Sequence, residues 1–583
     1  MKKADNMSRR DFLKTAAAGA VGVAAIGALG ACQSQTAGTE GTTAAPSTTG
    51  AASSAAATEA DTTMAGTDAA TTAAAQAQAD TKQYELPDVL PEEAFEESEA
   101  EYVVIEPDEE KDYDIVVVGA GTAGVPAALS AFESGCKVAC LQKQGFAIAQ
   151  GNNGSGFYLD KSNEGGVLRF MQAFNNDCCG RAGMDLLKMY IETSGETIDW
   201  IEDRVGKGGM TPYRTSEQIF KYDKDGKDNK DGEYVCYNKE ISYGPKPKDC
   251  GDAMRALADY AEQEGVEFFY ETPGVQLVKE DGRVCAVIGK TSEGKYIRFN
   301  AKKAVILATG DYQNNAMMVK QFCPDVMEFD KKQSQKTGDG HLMGMLVGAQ
   351  MEPVGHTHMM HDFDSGPMGS VPFLAVNDNG ERFMNEETKH IWVNNLLRYQ
   401  PNPGWYSHIF DSDYEAQVTE MGMNPTKLES LERYIPGFTE DTEGLRAELI
   451  NAHRCDTLEE LAEEMGLPAD ALVKSVERYN ELCESGEDAD FGKSGKYMKP
   501  IKTAPFWGIH RHIRVSSIDS GLLINTKCQC LDAEKKPIPG LYAAGNTSGQ
   551  LCGSNDWQMY CSGMSVGWGY ITGRRAGLCA AEE

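Results

Sequence analysis

Asp112-Tyr113-Asp114-Ile115-Val116-Val117-Val118-Gly119-Ala120-Gly121-Thr122-Ala123-Gly124 runs an apolar segment directly into G-x-G-x-x-G. The segment predicts a hydrophobic strand. The glycines let the backbone turn tightly and approach a pyrophosphate, and the following helix aims free N–H groups and its positive dipole end at the phosphates. Ala127-Ala128-Leu129-Ser130-Ala131 continues as a small-residue helix, and Cys136-Lys137-Val138-Ala139-Cys140-Leu141 reads as a second strand. That strand-turn-helix-strand order is the context a dinucleotide-binding unit requires. Where an acidic residue usually holds the adenosine ribose, at the end of the second strand, Gln142 and Lys143 stand instead. Gln142 keeps the hydrogen-bonding capacity without the charge.

Upstream, Ser8-Arg9-Arg10-Asp11-Phe12-Leu13-Lys14 precedes an Ala/Gly/Val-rich run from Ala16 to Ala31. Twin arginines before a moderately apolar stretch form a Tat-type export signal, and Leu29-Gly30-Ala31-Cys32 resembles a lipobox. Residues 1–32 therefore read as a lipoprotein signal with the anchor at Cys32. The run is short for a membrane span, which needs about twenty apolar residues. Residues 33–111 open with Ala, Thr, Ser and Gly and turn acidic from Glu85, which predicts a disordered tether and an adapter. The expected location is the outer face of the cytoplasmic membrane.

A formal net charge of −33 argues against nucleic acid, which needs a basic face. The sixteen cysteines include no C-x-x-C-H haem site. The close pairs Cys178-Cys179 and Cys528-x-Cys530 match no cluster spacing, so buried free thiols are expected and no metal site is assigned. His356, His358 and His361 fall within six residues, but beyond Asp362 and Asp364 no further ligand type stands at metal-binding spacing.

Later segments return to the nucleotide. Ala304-Val305-Ile306-Leu307-Ala308-Thr309-Gly310-Asp311 and Gly540-Leu541-Tyr542-Ala543-Ala544-Gly545-Asn546 both read as strands ending in small-residue turns at the cofactor. Val275-Gln276-Leu277-Val278 and Arg283-Val284-Cys285-Ala286-Val287, joined through Asp281-Gly282, read as a hairpin.

The ordered set G-A-G-T-A-G, A-T-G-D, T-G-D-G-H-L-M-G, E-R-F-M-N-E, V-E-R-Y-N, P-F-W-G-I and P-G-L-Y-A-A-G-N resembles the FAD-dependent fumarate reductase superfamily, which includes urocanate reductases, 3-ketosteroid dehydrogenases and cardiac glycoside reductases. The resemblance spans residues 112–583. It implies an α/β fold in which a three-layer Rossmann-like FAD-binding domain (112–360 and 508–583) is split by an α+β capping domain (361–507). Helical spacing over Thr457–Ala462 and Ala469–Tyr479 puts apolar residues of the cap in its core. The implied FAD contacts are Gly119, Gly121, Thr122, Ala123, Gly124, Gln142, Lys143, Gly154, Ser155, Gly156, Val275, Thr309, Gly310, Asp339, Gly545, Asn546, Ser565 and Val566.

The implied chemistry is hydride transfer from the flavin to an activated C=C bond, with one group polarising the conjugated carbonyl and another supplying a proton. Five residues past Asn385 of Arg382-Phe383-Met384-Asn385-Glu386, where fumarate reductases have an acid arginine, stands His390. Ser517 and Tyr560 occupy the positions of two carboxylate-binding cations. Losing a bidentate clamp argues against a small dicarboxylate. Tyr560, with Trp557, Trp568, Met559 and Met564 nearby, suits a larger apolar or phenolic acceptor and could polarise its carbonyl. His358 and Arg514 are further candidate substrate contacts. No second nucleotide fingerprint is found, so a membrane quinol dehydrogenase or cytochrome is the implied donor, as in anaerobic respiration. Two alternatives stay open: a dehydrogenase of a steroid-like ketone, and a non-enzymatic binding lipoprotein.

Overall fold

The computed structural model describes residues 104–583, apart from 150, 245–247, 361–365, 370, 390–391, 443–444, 446, 554–555 and 558–559. The export signal, Cys32 and His390 therefore lie outside the described residues.

The apolar run becomes strand β1 (Glu109–Val118), and Ile115 to Val118 are all buried, as a parallel strand covered on both faces demands. It lies between β2 (Val138–Leu141) and β9 (Tyr296–Leu307), parallel to both. The other edge of β2 takes β6 (Glu267–Phe269), and β9 takes β17 (Pro537–Ala543), again in parallel. β16 (Gln529–Leu531) closes the far side antiparallel to β17. The hairpin of β7 (Gly274–Glu280) and β8 (Arg283–Lys290) joins the sheet through β9. Its turn residues Asp281 and Gly282 both adopt positive φ, 47° and 83°, as the Asp-Gly pair predicts. This is the expected α/β fold, with strands 112–118, 304–307 and 541–543 meeting at their carboxyl ends.

Helices Gly124–Glu133 and Met564–Ala581 cross closely on this sheet. A Cβ on Gly573 would come within 2.1 Å of the Ala123 carbonyl, and one on Gly577 within 2.3 Å of the Ala127 carbonyl. Bare glycine there lets backbone meet backbone. A second antiparallel sheet, of β3 (Asn153–Phe157), β4 (Arg214–Tyr222) and β5 (Tyr234–Ser242), packs on helix Met184–Lys207.

The inserted region forms its own antiparallel sheet in the order β11 (Leu374–Val376), β12 (Trp405–Phe410), β14 (Phe506–His512), β13 (Ala452–Cys455). Its last strand continues past residue 507. Leu461, Ala462 and Met465 of helix Leu458–Met465 and Leu472, Val476 and Tyr479 of helix Ala469–Ser485 pack on Leu374, Val376 and Ile409. These are the apolar faces expected from their spacing. Arg382 and Glu386 of the R-F-M-N-E motif are framework residues. Arg382 grips Glu386 and Asp488, and Lys493 adds a further ion pair to Glu386. All fifteen described cysteines are free thiols. Among the described residues no helix is long and apolar enough to cross a membrane.

Candidate functional site

The glycine loop opens from the carboxyl end of β1. Gly119 turns with φ 103°, and any Cβ there would strike the Ala308 carbonyl at 2.4 Å, so this glycine is needed by the fold itself. Gly121 differs. A Cβ there meets only the Ile148 carbonyl, at 3.2 Å, which leaves its exposed side free for close approach. No side chain caps the helix start at Ala123; the Val125 N–H turns back to the Gly121 carbonyl and Pro126 has no N–H, so the helix offers an anion chiefly its positive dipole end beside the glycine loop. A dinucleotide pyrophosphate fits this cradle.

Several of the other expected nucleotide residues, Thr309 and Gly545 among them, pack against this loop. A Cβ on Gly545 would touch Ala123, and the Gly545 N–H donates to Thr572 Oγ1 at 2.9 Å. The Thr547 hydroxyl donates to the Gly310 carbonyl at 3.1 Å, and Thr309 Oγ1 accepts the Gly340 N–H at 3.1 Å. Lys143 Nζ bonds Thr337 at 2.8 Å and Asp339 at 3.0 Å, pinning the end of β2 to the start of helix Asp339–Leu346. Gln142 spends its amide on its own turn, donating to the Phe146 carbonyl and accepting the Lys143 N–H. Val275 is buried in β7 at the root of the hairpin.

A second group forms where Ser155 N–H donates to the Gly563 carbonyl at 3.1 Å and the Tyr190 hydroxyl donates to the Ser155 carbonyl at 2.6 Å. Gly154 and Gly156 lie against Tyr570 and Ser194, so close packing alone explains both. Val566 packs on Gly151, and Ser565 Oγ donates to Asp519 Oδ1 at 3.0 Å.

Asp519 was not legible from spacing. It is buried and also accepts a 2.7 Å hydrogen bond from Ser517 Oγ, so the two residues form one hydrogen-bonded unit. Burial pushes its carboxyl up to about 6, opposed by bonds from Ser517 and Ser565. Asp311, of the A-T-G-D turn, is likewise buried and pushed upward by desolvation, with Lys336 opposing.

β10 (His358–Met359) pairs with β15 (Ser517–Ile518), placing Met359 opposite Ser517, and the Trp557 N–H donates to the His358 carbonyl at 3.0 Å. His358, Ser517 and Trp557 are therefore neighbours. The His358 side chain nevertheless differs from the expectation that it faces a substrate. Nδ1 bonds the His356 carbonyl at 3.1 Å, so Nε2 is the acceptor for Arg398 Nη2 at 2.6 Å. Both ring nitrogens are spent on the protein, and Arg398 is held in turn by Asp556 at 3.1 Å. Trp557 and Trp568 are buried, Trp568 stacking on Tyr190 at 6.3 Å, which makes it a packing residue. Arg514 reaches toward Glu448, 3.8 Å away, whereas its neighbour Arg511 is fully buried and donates to the Met368 carbonyl at 2.9 Å.

Tyr560 projects in another direction, into an aromatic group that sequence spacing did not foretell. Its ring lies 5.4 Å from Phe220 and 5.5 Å from Phe170. Its hydroxyl is 2.8 Å from that of Tyr222 and donates to Asp228 at 3.2 Å. Burial raises both tyrosine pKa values, so both remain protonated donors at neutral pH.

The match to known proteins is extensive. Residues 6–25 match the family of twin-arginine translocation signal sequences, so the chain carries a signal for export across the cytoplasmic membrane. It is 28% identical over 510 residues to the vinyl phenol reductase of Lactiplantibacillus plantarum, covering 81% of this chain and 96% of that protein. It is 28% identical over 500 residues to the urocanate reductase of Eggerthella lenta, covering 81% and 75%. Its fold superposes on an open flavocytochrome c3 fumarate reductase with a TM-score of 0.62 at 23% identity, over 82% of this chain and 79% of that one. Residues 114–558 match the FAD binding domain family, and the chain belongs to it as an FAD-dependent oxidoreductase acting on CH–CH bonds.

Proposed function

We propose that this enzyme reduces the activated C=C bond of an acceptor larger and less charged than fumarate, an aromatic or phenolic conjugated compound. The observation that carries the reading is the chemistry at Ser517 and Tyr560. The first hydroxyl is tied to Asp519, and the second sits among Phe170, Phe220 and Tyr222. Neither residue offers the cation that a carboxylate clamp requires. Similarity to a vinyl phenol reductase supports the same choice.

FAD, held along Gly119–Gly124, Lys143, Thr309–Gly310, Gly545–Asn546 and Ser565–Val566, supplies the hydride chemistry when bound. The Tyr560 hydroxyl then polarises the acceptor oxygen, exchanging Asp228 for the substrate while Tyr222 keeps it oriented. His390 supplies the proton to the second carbon. We further propose that the exported enzyme is anchored through a lipid on Cys32 and draws electrons from a membrane quinol dehydrogenase or cytochrome.

The test is anaerobic turnover with a reduced viologen dye across fumarate, urocanate, hydroxycinnamates, vinyl phenols and enones. A charge-assisted pair contributes about 1.5–3 kcal/mol, so lacking two predicts fumarate turnover at least about a hundredfold below that of the preferred acceptor. Efficient fumarate reduction overturns the reading, and exclusive oxidation of ketosteroids with an acceptor dye replaces it with the dehydrogenase alternative.

A further inference from the structure

Lys336 stands beside the glycine loop with an ammonium that no carboxylate among the described residues pairs directly, Asp311 and Asp519 acting on it only through space. It precedes Thr337-Gly338-Asp339, and its side chain lies over Gly310 at the carboxyl end of β9, so a Cβ on Gly310 would stand 2.6 Å from its Nζ. The β9 end borders the glycine loop directly, because the Ala308 N–H donates to the Val118 carbonyl and the Ala308 carbonyl lies against Gly119. Among the described residues the Lys336 ammonium makes no hydrogen bond and no ion pair. Surrounding protein desolvates it and lowers its pKa, yet the side chain keeps partial exposure. A group deep in protein with surface still showing borders an internal cleft.

The charges nearby do not satisfy it. Asp311 gives its carboxylate to the Gln313 N–H and side-chain amide, and Asp519 gives its own to Ser517 and Ser565. Both carboxyls are pushed toward the protonated state by burial. Lys143 is already matched by Asp339, 3.0 Å away. An ammonium stripped of water and lacking a direct partner is costly unless an anion completes it.

We propose that Lys336 is a cofactor-binding residue of this chain, whose ammonium engages the pyrophosphate of FAD from the β9 side while the helix start at Ala123 engages it from the other.

The test compares Lys336→Met and Lys336→Arg holoenzymes with wild type, following FAD release on dilution by recovery of flavin fluorescence and measuring the flavin midpoint potential. Losing a charge-assisted contact predicts binding weakened roughly tenfold to a hundredfold in Lys336→Met, with Lys336→Arg close to wild type. The potential of the flavin retained should not change, and the salt dependence of FAD binding should flatten in Lys336→Met. Unchanged retention in Lys336→Met overturns the proposal. So does a lowered potential at unchanged affinity, which would place the ammonium at the flavin ring. Circular dichroism establishes that each variant folds, with Lys336→Gln as substitute where Lys336→Met does not. Wild type without FAD would instead refute the cofactor assignment.

Discussion

Tyr560 combines ring packing with a hydrogen-bonded hydroxyl. Replacing it with Phe keeps the stacking on Phe220 and Phe170 and removes only the hydroxyl shared with Tyr222 and Asp228. If that hydroxyl stabilises charge developing on the acceptor oxygen, Tyr560→Phe lowers kcat more than it raises KM, by about a hundredfold in kcat/KM. Tyr222→Phe should cost less, since it only orients the donor. Steady-state kinetics on the identified acceptor decide, and equal losses in the two variants would mean a purely structural pair. Gly121 makes the complementary prediction. Because its missing Cβ leaves the approach to the helix start open, Gly121→Val should fold yet purify colourless, and normal flavin absorbance per protein would contradict the cradle.

Among elements, the crossing of helices Gly124–Glu133 and Met564–Ala581 is the most sensitive to added volume. A methyl on Gly573 collides with the Ala123 carbonyl at 2.1 Å, so Gly573→Ala must push the helices apart at a cost of about 1–3 kcal/mol. The same displacement moves Ala123 and Gly124, so FAD retention should fall together with the denaturant midpoint. Gly206 is the contrasting case. It lies exposed in helix Met184–Lys207, where an added methyl would find nothing within 4 Å, and Gly206→Ala should stabilise by about 0.5 kcal/mol through helix propensity. Equal effects from the two substitutions would show that composition, not close approach, sets the role of these glycines.

For the molecule as a whole, buried titratable groups pull stability in opposite directions with pH. His341 and His356 are buried, and desolvation lowers them to about 3 and about 4. Their depressed values mean that the unfolded chain binds protons first, so their contribution is present above about pH 6.5 and lost as pH falls through the folded values. Asp519, raised to about 6, acts oppositely, since the folded state binds its proton first and stability falls as pH rises from about 4 to 6. His356→Gln should therefore remove up to about 1.4 kcal/mol per pH unit of acid sensitivity between about pH 4 and 6.5, while Asp519→Asn removes a slope of the other sign. Denaturant titrations of the holoenzymes at a series of pH values separate the two, and parallel profiles for wild type and both variants would refute the burial argument.

The strand-to-glycine transition at Val118–Gly119, the hairpin turn at Asp281-Gly282 and the apolar faces of Leu461 and Leu472 were legible in sequence because each depends on local conformation or short-range periodicity. The ordered motifs likewise sufficed for the α/β fold and for FAD. Which neighbours a motif residue meets was decided by contacts between distant segments. Arg382 and Glu386 hold the inserted sheet region to Asp488, His358 is consumed by Arg398, and Tyr560 meets Tyr222 across more than three hundred residues. Asp519 and Lys336 carry no spacing signal at all. Their environments exist only once β9, β15 and the helix from Met564 meet, because desolvation and hydrogen bonding are properties of the assembled neighbourhood rather than of any one segment.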